Sequence, residues 1–143
     1  MQIKITGNVR TTAPHLRKFV NYLQKHYPVK REGVRLVVKL TADEYLPFAH
    51  TDGTVGDANA VLSVIPFPPT IRIATGAIWC YPKRIMADLC HEWRHLQQFF
   101  DEGLLFKGMA SEEEYLKDPL EIEATEFSEK VMKEYLLAVG NKA

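Results

Sequence analysis

The stretch KRIMADLCHEWRHLQQFFDE, residues 83–102, changes the period of the chain and decides its fold. Ile85, Leu89, Trp93, Leu96 and Phe100 fall at i, i+4, i+8, i+11 and i+15, one apolar stripe that predicts a helix here. Gly103 is a good stop. Upstream, residues 2–6 (QIKIT), 34–40 (VRLVVKL), 60–65 (AVLSVI) and 70–75 (TIRIAT) alternate or are rich in β-branched residues, and read as strands. Between the first two, Leu16, Phe19, Val20 and Leu23 recur at helical spacing, from near Pro14 to a stop before Pro28. Residues 47–59 (PFAHTDGTVGDAN) are rich in turn formers and read as a long loop or an irregular hairpin. Downstream, residues 104–118 are a connector with one short helical piece near Glu112–Tyr115. Pro119 then opens a final helix to about Val139. This order predicts one α+β domain over residues 1–143. A mixed β-sheet carries the helix of residues 83–102 and the C-terminal helix on one face.

Composition bounds the function classes. The chain has 143 residues, 46% hydrophobic and 25% charged, which suits one globular domain and argues against disorder. Lys plus Arg is 18 and Asp plus Glu is 18, so the basic excess of a nucleic-acid-binding protein is missing and no nucleic acid is expected. No run approaches the ~20 apolar residues of a membrane span. The first residues, MQIKITGNVR, do not read as a signal peptide, and two cysteines, Cys80 and Cys90, are too few for a disulfide framework. The expected compartment is the cytoplasm.

The chemistry lies inside the predicted helix, at His91-Glu92-Trp93-Arg94-His95, an HExxH pattern. Residues four apart share a helix face, so both imidazoles can point at one ion. Zinc accepts imidazole nitrogen at ~2.0–2.1 Å. Glu92, one step round the helix, is placed to take a proton from water activated by the metal, the role of a general base. In a chain of this length the pattern arises by chance on the order of once in a few hundred sequences. Two of only five histidines stand at ligand spacing, which argues against a chance pair of surface histidines.

A catalytic zinc site takes three protein ligands and leaves one position open. Asp101 stands six residues after His95, about 9 Å along the helix axis at ~1.5 Å per residue and off the ligand face, so it is rejected. The final helix opens with Glu121, Glu123 and Glu126. At ~100° per residue, Leu120, Ala124, Phe127, Val131 and Tyr135 define its apolar stripe. Glu121 turns inward, near the azimuths of Met132 and Val139, while Glu123 and Glu126 turn toward Lys130, Lys133 and Glu134. Glu121 is therefore the favoured third ligand, with Glu123 as the alternative.

On these residues the chain resembles the zincin metallopeptidases of the gluzincin kind. HExxH lies on one helix and an E-x-x-A motif, Glu121 and Ala124, on a later one. Residues 70–139 carry the resemblance, and the arrangement is similar to minimal zincins of bacteria and phages. Thr125 stands where several gluzincin families have Asp or Asn. The resemblance implies one Zn2+ per chain, held by His91, His95 and Glu121. It also implies a peptide or protein substrate, hydrolysed by metal-activated water with Glu92 as base. In zincins the strand before the active-site helix is commonly the sheet edge that binds extended substrate, and residues 70–75 occupy that place.

Other residues carry weaker expectations. Tyr115 could donate a hydrogen bond to a developing oxyanion, although an ordinary connector aromatic is the blander reading. His50, in the loop beside Asp52, is a further substrate or oxyanion contact by position, and more often a solvated histidine. Cys90 points ~100° from the ligand face and reads as a small buried residue. Arg94 is expected to face solvent, Asp88 or Glu92. Gln97 and Gln98 are unusual on a buried helix and are expected behind the ligands, because metal-bound histidines normally donate their other nitrogen to something. Two rival readings stay open. One is a catalytically silent zincin-like domain whose metal is closed by a fourth ligand, His50 or Cys90. The other is a regulatory protein with no metal at all. A chain this short leaves little room for a lid, and so allows for a protein partner that completes the cleft.

Overall fold

The computed structural model describes residues 1–7, 13–49, 53–64, 67–76, 82–104 and 112–140. In chain order the elements are β1 (Gln2–Gly7), α1 (Ala13–His26), β2 (Arg35–Thr41), β3 (Leu46–Ala49), β4 (Val55–Ala58) and β5 (Ala60–Ser63). They continue with β6 (Thr70–Ala74), α2 (Pro82–Phe100), α3 (Glu112–Lys117) and α4 (Pro119–Gly140). The fold is α+β. A four-stranded mixed sheet has the order β1-β2-β6-β5, and β3 and β4 form a separate two-stranded hairpin. β1, β2 and β6 are parallel, and β5 runs antiparallel to β6.

Alternation explains how the sheet is covered. Leu36, Val38 and Leu40 of β2 and Ile71 and Ile73 of β6 are buried, whereas Arg35, Lys39 and Arg72 between them are exposed. One face of the sheet therefore carries the core. Leu16, Phe19 and Leu23 of α1 and Ile85, Leu89, Trp93 and Leu96 of α2 fill that face, and α4 packs chiefly against α2. Trp93, fully buried, donates from its indole nitrogen to the Tyr27 carbonyl at 2.8 Å, and Gln97 reaches the same carbonyl at 3.0 Å. The chain after α1 is thus fastened to the middle of α2. Gly103, at φ +67°, ends α2 by turning Leu104 N–H back to the Gln98 carbonyl at 2.9 Å.

One expectation is narrowed, to the hairpin, and one changes. Residues 47–59 contain a real antiparallel pair, with Leu46 opposite Ala58 and Phe48 opposite Gly56. Residues 70–75 do not form the sheet edge: β6 lies inside the sheet, between β2 and β5. The edge is β5, because the chain doubles back between Ser63 and Thr70 and pairs β5 outside β6. Periodicity gives a strand its faces but not its neighbours.

α4 begins as its sequence dictates. Asp118 accepts a hydrogen bond from Leu120 N–H at 2.9 Å, an N-cap followed by Pro119 at the first helical position. Asp118→Ala is expected to cost about 1 kcal/mol of stability, read as a lower thermal midpoint of the metal-free protein. The buried face of α4 is Ala124, Ser128, Val131, Met132 and Tyr135, and Glu121 stands one turn before it. Val139 is exposed, because the last turn runs past the core.

Candidate metal centre

α2 and α4 bring three donors to one point. His91 Nε2 lies 2.8 Å from Glu121 Oε2, His95 Nε2 lies 3.0 Å from Glu121 Oε1, and the two histidine Nε2 atoms are 3.2 Å apart. Donors at ~2.0–2.1 Å from one tetrahedral zinc stand roughly 3.3 Å from each other. The two Nε2 atoms, 3.2 Å apart, match that edge length, and the Glu121 carboxylate faces both of them, one oxygen to each, so the three residues fit the ion. Two neutral imidazoles and one carboxylate are also the donor chemistry that zinc accepts. Among the described residues, His91, His95 and Glu121 are the group of this kind.

Electrostatics distinguish the acids. Burial alone would raise the Glu121 carboxyl, but hydrogen bonds from His91 and His95 outweigh it and hold the pKa down to about 2. Burial would lower the His95 pKa, yet the Glu121 hydrogen bond and the charge of Glu92 raise it. Glu92 is different. Its side chain is 7% exposed, and burial pushes its pKa up to about 7 against the pull of His95 and His91. It lies beside the donors without being one of them, where a carboxyl poised near neutrality can take and return a proton.

These groups open on a cavity of about 300 Å³. His91, Glu92, His95 and Glu121 form its floor, residues 58–62 run along one wall, and Tyr115 and Asp118 come from the α3–α4 side. Phe48 of β3 reaches across to Tyr115, with ring centroids 5.3 Å apart, so the hairpin leans on α3 beside the site. Tyr115 is therefore placed at the cavity, as expected of a substrate contact.

The remaining expectations sort clearly. Glu123 is not with the donors: it pairs with Arg94. Arg94 also meets Glu102 at 2.7 Å, so its partners are neither Asp88 nor Glu92. Asp88 pairs with Arg84 at 3.2 Å, and burial pushes its pKa up to about 6. Asp101 accepts from the Lys30 and Arg31 N–H groups at 2.9 Å each, away from the donors. Cys90 is buried in the core and is not among the converging donors, so it is not placed as a fourth ligand. His50 and Cys80 lie outside the described residues.

Sequence reasoning missed the wall from the hairpin. Phe48 and Asp57 line the cavity, and no spacing in the chain announces it, because the hairpin reaches the site through tertiary packing. No described helix is long and apolar enough to cross a membrane. Comparison with protein-family models, with curated proteins and with solved structures gives no match, so the functional reading rests on these side chains and distances.

Proposed function

We propose that the chain is a zinc-dependent peptidase of the zincin type, hydrolysing peptide bonds of a peptide or protein substrate. One observation carries this reading: the two Nε2 atoms of HExxH meet a carboxylate from a later helix, beside a buried Glu92 that opens on the same cavity. Zinc held by His91, His95 and Glu121 would polarise a carbonyl and lower the pKa of water. The protein does the rest. Glu92 accepts the proton from water and delivers it to the leaving amine. Tyr115, on the cavity wall, is the residue assigned to a developing oxyanion. β5 has no strand on its outer side among the described residues. An extended peptide adding to that edge would run along the wall formed by residues 58–62, its backbone held by strand pairing. A purely structural metal site has no use for a base at Glu92, which favours the catalytic reading over a silent domain.

The test is elemental mass spectrometry of the purified protein, followed by hydrolysis of a denatured protein substrate. Near-stoichiometric zinc and a chelator-sensitive cleavage are expected. No transition metal, even after zinc is added back, would sink the proposal.

A further inference from the structure

Which nitrogen His95 turns to the donors is decided behind it, by Gln98. This side chain has no solvent exposure. Its Nε2 lies 3.2 Å from the Leu120 carbonyl oxygen and 3.4 Å from Glu123 Oε1. A backbone carbonyl can only accept, so the amide nitrogen must face α4. That leaves Oε1 toward His95 Nδ1, at 2.7 Å. An amide oxygen can only accept, so Nδ1 is the nitrogen that carries hydrogen. His95 Nε2 then faces Glu121 and His91: with the ring protonated it donates to Glu121, and with the ring neutral it is the nitrogen left to offer a lone pair to a metal. A carbonyl on α4 thus fixes the tautomer of a histidine on α2 through one amide.

Among the described residues His91 has no equivalent. Its Nδ1 is 3.4 Å from Thr125 Oγ1, a long contact in an exposed setting. A hydroxyl both donates and accepts, so it imposes no tautomer.

We propose that Gln98 is the positioning residue of the metal centre. It holds His95 with Nε2 toward the ion and ties that histidine to Leu120, the residue before Glu121, so two ligands from different helices keep their separation. This rests on the metal-centre reading above. The side chain must accept on one side and donate on the other from a buried place three residues after His95. Glutamine does this while neutral, methionine of similar size does neither, and asparagine is one methylene too short to reach both partners. If Gln98 only filled space between α2 and α4, replacing it would lower stability and leave metal affinity alone.

The experiment measures zinc affinity by competition with a chromophoric chelator, with the melting temperature of each metal-free variant as the control. Gln98→Met and Gln98→Asn are expected to bind zinc roughly 10- to 100-fold more weakly, the range for losing a group that orients a ligand histidine. Gln98→Glu keeps an oxygen toward Nδ1 but cannot donate to the Leu120 carbonyl and sets a buried carboxylate beside Glu123, so it too is expected to bind zinc more weakly than wild type. Thr125→Ala is expected to stay near wild type. Unchanged affinity in Gln98→Met, or in Gln98→Asn where the methionine variant does not fold, would overturn the proposal. A wild-type protein that binds no zinc would instead overturn the metal-centre reading, which separates the two failures.

Discussion

Glu92→Gln is expected to abolish peptide hydrolysis while the zinc content of the protein stays at the wild-type level. Glu92 stands one residue from His91, and its oxygens are not among the converging donors. Glutamine keeps the size and burial but cannot accept a proton. Loss of a positioned general base costs about 10²- to 10⁴-fold in rate, read as kcat/KM on one peptide with elemental analysis of the same preparation. Zinc lost along with activity would mean that Glu92 holds the metal rather than the proton. The same variant carries a stability signature in the metal-free protein. The Glu92 pKa rises from 4.5 unfolded to about 7 folded, because burial penalises the charge. The folded state therefore keeps the proton longer, and stability falls as pH rises through that window. A shift of this size is on the order of 3 kcal/mol, of which a buried amide retains a part. Glu92→Gln should match wild type near pH 4. It should become the more stable protein as pH passes 7, by about 1–2 kcal/mol. Urea titrations at the two pH values read the difference, and equal midpoints at high pH would show that Glu92 is not held in a dry place.

What the sequence disclosed follows from which interactions are local. The helix that carries HExxH was legible because Ile85, Leu89, Trp93 and Leu96 repeat at a helical period, and all four are buried in the core. The opening at Pro119 and the stop at Gly103 are likewise local signals. Glu121 could be chosen over Glu123 because α2 covers one face of α4, and azimuth along a helix can be worked out from spacing. Val139, used to mark the inward azimuth, is exposed, while Ser128 and Met132 complete the buried face. Strand order was not legible. β5 and β6 both read as strands, and only the return of the chain after Ser63 puts β5 outside. The partners of Arg94 were not legible either. Glu102 follows the end of its own helix and Glu123 belongs to another, so neither shares a simple spacing with it. Charge pairing of this kind needs the packing of α2 on α4 to be known first.

That packing also sets the last expected result, which separates two glutamates two residues apart. Glu121→Ala should lose most of its zinc, and Glu123→Ala should keep it. Removing Glu121 leaves two histidines, one fewer than the three protein ligands of a catalytic site. Its effect should exceed the roughly 100-fold that a supporting hydrogen bond can cost. α4 itself should stay in place. Gln98 still reaches the Leu120 carbonyl, Ser128 still donates to the Ala87 carbonyl at 2.9 Å, and Arg94 still pairs with Glu123. The circular dichroism of Glu121→Ala should therefore match wild type, so that zinc loss reports on ligation and not on unfolding. Glu123→Ala removes the other end of the Arg94 pair. The Glu123 side chain is 45% exposed, and Arg94 retains Glu102, so about 0–1 kcal/mol is the expected cost. Zinc measured side by side in the two variants decides the third ligand. Loss in Glu123→Ala with retention in Glu121→Ala would mean that α4 is rotated from the position described, and the convergence of Glu121 on the two histidines would be refuted with it.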